Sequence, residues 1–424
     1  MTEHMADFEP VLLHPSRQVG ADLEAWLAAG GGQGLQAALA QPDAVIGTLQ
    51  AAGLRGMGGA GFPTWQKWAG MAEVEAPDGV RHIVCNGNED EPGTFKDRHL
   101  LLHTPHQIIE GMLIAAVALR ASHVTLYANP HQAEALEALR LAVAQWRTSP
   151  LLGRVAECLG RTPELNVTPS SGRYIGGEDT AVISWLEGGF PFPRRKPPFP
   201  TQQGVGGAPT LVNNVETFAN VPHILSRGAE WYRSLGQGEA AGTKLYSLSG
   251  DVLNPGLYEL PMGTSLQDLV FVHGGGMLQG RAFKAVFTGG PSNTLLTAAD
   301  LDVALDFDSV RARKSRLGTG AMIVISEGTS VVRKVSEYID FFAAGSCGQC
   351  PSCKCGTFQL SRLLHRFDSS HGSADDLRAL RNLCGILPGS GRCGLIDGAV
   401  TVVESSLHTF PEEYGAVRQP LPDI

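Results

Sequence analysis

The fold is decided by two stretches of sequence, Arg81-His-Ile-Val-Cys85 and His123-Val-Thr-Leu-Tyr127. Both are rich in β-branched and aromatic residues and are predicted to be strands. Between them, Pro105 opens an apolar segment with helical spacing. A strand, a helix and another strand in this order are typical of a parallel sheet covered by helices, so we predict an α/β fold here.

Four segments follow from reading outward along the chain. Residues 21–40 are rich in Ala and Leu and are predicted to be helical, and residues 191–200 are a Pro-rich stretch predicted to be an extended loop. Short strands at 244–249, 284–288 and 321–325 predict a small α+β module, and helical periodicity returns from Ser336, with a capping box at Ser373 and Asp376. The predicted domains are a helical lead-in (1–50), an α/β domain (51–238), an α+β domain (239–330) and a helical domain (331–424).

Composition excludes some classes of function. The chain has 424 residues, 43% of them hydrophobic, with 33 Lys and Arg against 42 Asp and Glu, a net charge of −9. We therefore expect a folded protein that does not bind nucleic acid or an anionic membrane through a basic surface.

Residues 1–19 lack the apolar core of a targeting signal, and no run reaches the roughly 20 apolar residues that span a bilayer. The expected location is cytoplasmic, without direct membrane insertion and with any peripheral membrane contact made through partner subunits.

Three cysteines stand close together in Cys347-Gly-Gln-Cys350-Pro-Ser-Cys353, and Cys393 lies further along the chain. Three thiolates at this spacing wrap around a cubane, and a remote fourth closes it, so the motif predicts one [4Fe-4S] cluster. The alternative is a structural zinc site, although zinc ligands usually come as two separated pairs. Cys355 and Cys384 are left over and are predicted to be ordinary thiols.

Glycines and acidic residues form two further motifs. The run Arg55-Gly56-Met57-Gly58-Gly59-Ala60-Gly61-Phe62-Pro63 allows a backbone to approach a flat or phosphorylated ligand, although alone it is also compatible with a surface turn. Asn86-Gly-Asn88-Glu89-Asp-Glu91-Pro-Gly93 follows a predicted strand, where open α/β sheets bind ligands. Its alternative is a solvated acidic loop.

Three more motifs are weaker when taken singly. They are Tyr174-Ile-Gly-Gly177-Glu178-Asp179-Thr180, the Pro-rich loop with Lys196 and Phe199, and Asn213-Asn214-Val-Glu-Thr217. By itself the Pro-rich loop is compatible with a rigid linker, and the Asn pair with a turn.

Together and in this order, the motifs resemble the NADH-oxidising flavoprotein subunit of respiratory complex I. The same family includes the diaphorase subunits of NAD-linked hydrogenases and formate dehydrogenases. The resemblance covers roughly residues 45–400 and rests on an ordered combination of motifs. It implies a Rossmann-like flavin domain, a small ubiquitin-like domain and a C-terminal helical bundle that carries the cluster.

The resemblance also implies roles for individual residues. The positions that match an FMN cradle are Gly56, Gly58, Lys67, Asn86, Asn88, Glu89, Tyr174, Gly177, Glu178, Asn213, Asn214 and Thr217, with Gly59 and Gly61 in the same glycine loop. Those that match a site for NAD(H) are Phe62, Lys67, Glu91, Asp179, Lys196 and Phe199. Glu89 and Glu91 are the predicted catalytic carboxylates, and the predicted cluster ligands are Cys347, Cys350, Cys353 and Cys393.

The implied activity is an NADH dehydrogenase, or diaphorase, subunit. Hydride passes between NAD(H) and FMN, and single electrons then pass through the [4Fe-4S] cluster to partners. The expected partners are a thioredoxin-like [2Fe-2S] subunit and a larger iron–sulfur subunit of a complex I-like assembly. One alternative is the NAD⁺-reducing beta subunit of a soluble formate dehydrogenase or hydrogenase. Alternatives of another class are a non-catalytic electron-relay scaffold and a zinc-stabilised interaction module.

Several positions depart from the family pattern. Met57 stands where the family usually has Arg, and Asn88 where it usually has Asp. We hypothesise that these two residues form an ion pair in the family and that both charges were lost together here. Gly70 stands where an aromatic usually clamps adenine, and Trp65 is either its substitute or a core residue. Asp179 replaces the usual Glu beside the adenosine ribose, which predicts a weaker preference for NADH over NADPH.

Overall fold

The computed structural model describes residues 8–76 and 78–415, so the ends of the predicted lead-in and helical domain, residues 1–7 and 416–424, lie outside the described residues. The first sheet contains β1 (His82–Gly87), β2 (His123–Ala128), β3 (Glu164–Pro169) and β4 (Thr210–Asn214). All four strands are parallel, in the order β3-β2-β1-β4. Both strands predicted at the start are present and adjacent, with His82 in register with His123.

Helices surround this sheet. They are α1 (Leu23–Ala28), α2 (Gln33–Ala40), α3 (Val45–Ala52), α4 (Thr64–Ala72), α5 (Lys96–His103), α6 (Pro105–Leu119), α7 (Ala133–Thr148), α8 (Pro150–Leu159), α9 (Asp179–Leu186), α10 (Val215–Arg227) and α11 (Ala229–Ser234). The predicted helix α6 begins at Pro105, whose fixed φ suits the first helical position, and is almost wholly buried. The N-terminal helices contribute Trp26, Leu35 and Leu49 to the same core. The lead-in thus packs as part of the first core.

A mixed sheet follows, made of β5 (Thr243–Gly250), β6 (Gly256–Pro261), β7 (Phe283–Thr288), β8 (Leu296–Thr297) and β9 (Ala321–Ser326), with α12 (Phe307–Ala312) beside it. Its order is β6-β5-β9-β7-β8. The three strands predicted from sequence correspond to β5, β7 and β9. Because successive side chains of a strand point to opposite faces, Val286 packs into the first core while Ala285 and Phe287 pack into a second.

That second core belongs to four C-terminal helices, α13 (Val331–Gly345), α14 (Pro351–Asp368), α15 (Ala374–Ile386) and α16 (Leu395–Thr409). The capping box predicted at the start of α15 is present, with Ser373 and Asp376 satisfying each other's backbone N–H groups. The α/β, mixed-sheet and helical parts therefore occur in the predicted order, while the boundaries near residues 50, 238 and 330 stay predictions.

The Pro-rich segment 191–200 forms no helix or strand, as predicted. The Lys196–Pro197 and Pro197–Pro198 peptide bonds are cis. Within the described ranges, no single helix has the length and apolar character needed to cross a membrane; α5 and α6 pass together only as a pair bent by 94°.

Candidate functional site

The predicted site residues gather at the carboxyl ends of β1 and β4. These strands are neighbours, and Asn86 is the register partner of Asn214. Asn86 donates a hydrogen bond from Nδ2 to the Gly177 carbonyl at 2.7 Å, which ties the loop after β3 to the same edge. Parallel α/β sheets bind ligands at this edge, so the strand order explains why distant motifs meet here.

Two cavities open at this edge. The larger measures about 460 Å³ and the smaller about 310 Å³, and they share the wall residues Gly58, Asn86, Glu178 and Asn214. Of the other predicted residues, the larger cavity is lined by Asn88, Glu89, Glu91, Tyr174 and Gly177. The smaller is lined by Gly56, Phe62, Lys67, Asp179, Lys196, Asn213 and Thr217. Almost the whole predicted set thus surrounds one continuous region.

Charged groups concentrate in the smaller cavity. Lys196 Nζ lies 2.7 Å from Asp179 Oδ1 and 3.2 Å from Glu178 Oε1. Lys67 Nζ donates to the Val212 carbonyl at 2.6 Å, and burial lowers the pKa of this lysine. Burial together with Asp179 raises the pKa of Glu178 to about 6. The cavity therefore offers both ammonium groups for phosphates and carboxylates for ribose hydroxyls.

The two predicted catalytic carboxylates have different surroundings. Glu89 accepts hydrogen bonds from the backbone N–H groups of Asp97 (2.6 Å) and Arg98 (3.1 Å), which caps α5. Glu91 accepts hydrogen bonds from Tyr174 Oη at 2.6 Å and Ser292 Oγ at 3.3 Å, and burial raises its pKa to about 7. Glu91 therefore retains a proton near neutral pH more readily than an ordinary glutamate.

A buried ionic network lies behind Asn214. Lys96 Nζ contacts Asp97 at 2.7 Å and Glu216 at 2.9 Å, and it donates to Asn214 Oδ1 at 3.0 Å. Lys244, from β5, contacts Glu216 at 2.5 Å. Burial acts to raise the pKa of Glu216, but the two lysines outweigh it and lower the pKa. The network fixes the amide of Asn214, which also donates to Asp97 at 2.7 Å.

The four predicted ligand thiols, those of Cys347, Cys350, Cys353 and Cys393, line one small cavity. This cavity shares Ile175, Cys393 and Leu395 with the larger cavity, so the two are separated by a single wall. Burial raises the pKa of the Cys393 thiol to about 11. The positive charge of bound iron would favour the Cys393 thiolate that burial disfavours, and a donor set of four thiols suits an iron–sulfur cluster.

Over residues 8–76 and 78–415, no group of three or more His, Cys, Asp or Glu side chains is arranged to hold a single metal ion. A zinc ion needs its four sulfurs close around one centre, whereas a cubane holds them further apart at its corners. The spacing of the four cysteines along the chain, three in one motif and a remote fourth, is typical of a cluster, whereas zinc ligands usually come as two separated pairs.

The ring of Tyr174 connects the larger cavity with the cluster region. It packs edge-on against Phe341 and Phe342, with ring centroids 5.0 and 5.9 Å apart. Both phenylalanines lie on α13, the helix that leads into Cys347. One residue thereby touches Glu91 through its hydroxyl and the cluster helix through its ring.

Three predicted cofactor residues lie outside the cavity walls. Gly59 forms an isolated β-bridge with Gly318, and a side chain at Gly61 would overlap the Phe307 ring. The glycine loop packs against the mixed-sheet part of the chain at these two positions, and the assignment of Gly59 and Gly61 to cofactor binding stays a prediction. Phe199 is 52% exposed and does not line either cavity.

The family departures are also clarified. Trp65 packs against the main apolar core, which favours the core account over a substitute adenine clamp. The Met57 side chain is fully buried in the same core, whereas Asn88 donates to Asp90 Oδ2 at 3.1 Å and to the Arg173 carbonyl at 3.0 Å. These separate surroundings argue against an ion pair lost from the two positions.

Sequence reasoning missed part of the larger cavity. Ser292, Arg316 and Thr319 come from the mixed-sheet part, and Asp397 and Thr401 from α16. The basic run at 311–316 was a visible signal for Arg316. The others are single polar residues in ordinary surroundings and gave no signal in the sequence.

Comparisons with known proteins agree with this geometry. A family model described as the Nuo51 FMN-binding domain matches residues 49–223, an SLBB domain model matches 245–293, and a model of the NADH-ubiquinone oxidoreductase-F iron-sulfur binding region matches 333–417. An NADH-quinone oxidoreductase subunit of Rhizobium meliloti (strain 1021) is 40% identical over 412 residues, covering 96% of this chain and 97% of the relative. The corresponding NADH-quinone oxidoreductase subunit of Escherichia coli (strain K12) is 42% identical over 381 residues, 89% of this chain and 85% of the relative.

Relatives from another class of enzyme match as well. The NADP-reducing hydrogenase subunit HndC of Solidesulfovibrio fructosivorans is 39% identical over 395 residues, 93% of this chain and 80% of the relative. A crystal structure of an NAD⁺-reducing [NiFe]-hydrogenase in the H2-reduced state superposes with a TM-score of 0.83 at 34% identity, covering 94% of this chain and 67% of that one.

Proposed function

This chain belongs to the family of FMN-binding, NADH-oxidising subunits found in NADH-quinone oxidoreductases, and from that premise we propose how its own residues serve the reaction. The two cavities hold FMN and NAD(H), and the four cysteines hold a [4Fe-4S] cluster. One observation supports the proposal most strongly. The larger cavity shares wall residues with the smaller cavity, which contains the predicted nucleotide residues, and also with the cavity that contains the four thiols.

The fit to FMN rests on one polar atom without a partner and on a glycine in the cavity wall. Asn88 Oδ1 is buried and has no hydrogen-bond partner among the described residues, so it is an acceptor available to a bound donor. A Cβ at Gly58 would lie 3.0 Å from the Asn214 side chain and crowd it, so glycine lets the loop approach Asn214 in the wall that both residues form. These features support a flavin cradle built from Gly58, Asn86, Asn88 and Asn214.

When bound, FMN accepts a hydride as an electron pair and returns electrons one at a time, and the cluster carries single electrons. The chain's task is to bind and orient. We assign Lys67, Lys196 and Asp179 to the dinucleotide because they line the smaller cavity with Phe62. Glu91 contacts the ligands of the larger cavity, whereas Glu89 positions the wall by capping α5.

The partners form part of the proposal. The named relatives are subunits of multi-subunit NADH-quinone oxidoreductases or hydrogenases, so this chain works within a larger assembly. We propose a thioredoxin-like [2Fe-2S] subunit and a larger iron–sulfur subunit as its partners, in a complex I-like arrangement in the cytoplasm. The hydrogenase relatives support a second candidate, an NAD⁺-reducing subunit of a soluble hydrogenase or formate dehydrogenase.

Anaerobic isolation of the tagged chain with its native partners tests the function. We expect bound FMN, at least about four iron atoms per copy of this chain with the excess in the partner subunits, and loss of flavin absorbance within seconds of adding NADH. Retained flavin that NADH does not bleach would favour the relay scaffold, and zinc without iron would favour the interaction module. Identification of the co-purifying subunits separates the complex I-like assembly from the hydrogenase or formate dehydrogenase.

A further inference from the structure

Six acidic residues line the larger cavity, and three of them, Glu89, Asp97 and Glu178, are paired with cations outside its lining. Its lining includes the carboxyl groups of Glu89, Asp90, Glu91, Asp97, Glu178 and Asp397. Among the described residues that line it, Arg316 carries the only cationic side chain. Both proposed ligands, FMN and NAD(H), carry phosphate groups, so a cavity with these walls needs a cation to receive them.

Arg316 belongs to a basic segment whose other arginines are already paired. Arg311 contacts Asp308 at 3.0 Å, and Arg313 contacts Asp300 at 3.0 Å. In the part of the chain that the structure describes, neither Arg316 nor Lys314 makes an ion pair. Arg316 is therefore an exposed cation on the cavity lining that no carboxylate of the described residues neutralises.

The backbone around Arg316 is held firmly. Ser315 Oγ donates to the Thr294 carbonyl at 2.6 Å, and Leu317 is buried. Gly318 bridges to Gly59 of the glycine loop, and the Thr319 hydroxyl lies 2.8 Å from that of Thr94. These contacts dock the segment on the flavin-binding part of the chain, so the origin of the Arg316 side chain is fixed relative to the cavity.

We propose that Arg316 is a binding residue for a phosphate group of a ligand in the larger cavity. A guanidinium matches the oxygens of a phosphate with two parallel hydrogen bonds, which no other side chain of this lining supplies. The phosphate belongs either to the flavin, as a monoester, or to the dinucleotide, as a pyrophosphate. This inference rests on the proposed function, because it assumes that these two ligands bind here.

The test uses three variants of the full chain in its native assembly. Arg316→Gln removes the charge, Arg316→Lys keeps the charge without the bidentate geometry, and Lys314→Gln is the matched control. Lys314 is the neighbouring unpaired cation and does not line the cavity. After removal of flavin, FMN and riboflavin are titrated by fluorescence. With flavin restored, NAD⁺ and the phosphate-free nicotinamide riboside are titrated by calorimetry.

Arg316→Gln should weaken one phosphate-bearing ligand about tenfold, the loss of one charge-assisted interaction. Its phosphate-free analogue should change less than twofold, as should every ligand of Lys314→Gln. Arg316→Lys should recover part of the affinity. A selective loss of FMN assigns the monoester, and a selective loss of NAD⁺ assigns the pyrophosphate.

Unchanged FMN-to-riboflavin and NAD⁺-to-riboside ratios in Arg316→Gln would overturn the inference while leaving the proposed function intact. A wild-type assembly that binds neither flavin would overturn both. Circular dichroism and cluster absorbance of each variant show whether the fold is retained, and a folded Arg316→Gln variant with equal losses for both members of a pair would also contradict the inference.

Discussion

At the scale of single residues, hydrogen bonding explains why an amide and not a carboxylate stands at position 88. Its amide donates to Asp90 and to the Arg173 carbonyl, both of which are acceptors. A carboxylate in this place has no hydrogen to offer and carries a charge toward Asp90. The two acceptors beside Asn88 therefore explain why an amide stands here, without reference to the residue at position 57.

We expect Asn88→Asp to lower the free energy of unfolding by about 2 kcal/mol at pH 7, since two buried donors are lost beside a like charge. Urea denaturation of the variant measures it. Met57→Arg in the same chain should add to the loss. Recovery of stability in the double variant would restore the idea of a paired exchange.

Asp179 determines how the site treats the adenosine ribose. Its carboxylate is one methylene shorter than that of Glu and is held by Lys196 at 2.7 Å. We expect the wild-type protein to use NADPH measurably, and Asp179→Glu to raise the ratio of kcat/KM for NADH over NADPH about threefold or more. Steady-state kinetics with both nucleotides measures the ratio. An equal ratio in the two proteins would contradict this role.

Glu91 makes stability depend on pH. Burial raises its pKa from 4.5 to about 7 in the folded chain. Its contribution to stability is therefore complete below pH 4.5 and is lost as the pH rises through about 7. Relative to Glu91→Gln, the melting temperature of the wild type should fall by about 3 °C or more between pH 5 and pH 8. Parallel melting curves of the two proteins would rule this out.

At the scale of elements, one ionic network joins α5, α10 and β5. Glu216 on α10 forms ion pairs with Lys96 on α5 and Lys244 on β5, and all three side chains are buried. The Glu216 carboxylate also accepts from the backbone N–H of Leu245 at 2.8 Å. The mixed sheet is thereby attached to α10, which Asn214 precedes as its N-cap, and the cavity wall depends on the attachment.

Lys244→Met should lower the free energy of unfolding by about 3 kcal/mol, because a buried carboxylate loses one of its two lysines. Lys334→Met is the matched control: it removes the same charge from the exposed pair with Glu337 and should change stability by about 0.5 kcal/mol or less. Chemical denaturation compares them. Similar effects in both variants would mean that the network does not stabilise the interface.

At the scale of the whole molecule, three parts of the chain together form the walls between the larger cavity and the four thiols. The first sheet supplies most of the cavity walls, the mixed sheet supplies Ser292 and Arg316, and the helical part supplies Cys393 and Leu395. No part encloses the region by itself. Electron transfer from the larger cavity to the thiols therefore depends on how the parts pack.

Cys353→Ser should remove the cluster while sparing flavin reduction, since the ligand thiols line a separate cavity. We expect NADH to bleach the flavin of this variant at the wild-type level, with onward transfer to partner subunits reduced at least tenfold. Absorbance and paramagnetic resonance measure the two steps. Cys355→Ser, at an exposed thiol, is the control. Undiminished onward transfer in Cys353→Ser would argue against the ligand assignment.

Local patterns in the sequence were enough to predict some of the elements and the donor sets. Strands β1 and β2, helix α6 and the cap of α15 follow from periodicity, proline and capping chemistry, which act over a few residues. The strands β3, β4, β6 and β8 were not predicted, because short strands beside Gly, Pro or Thr carry little periodic signal.

The sequence by itself determined which chemical groups this protein has: four thiols at cluster spacing, a glycine loop, and the amides and carboxylates after its strands. Only the tertiary structure decided which of them share a wall. Gly59 and Gly61 pack against the mixed-sheet part of the chain. Arg316 lines a cavity whose other wall residues are mostly distant from it in sequence. The reason is physical: spacing along a chain fixes local geometry, while proximity between distant segments depends on how buried faces pack.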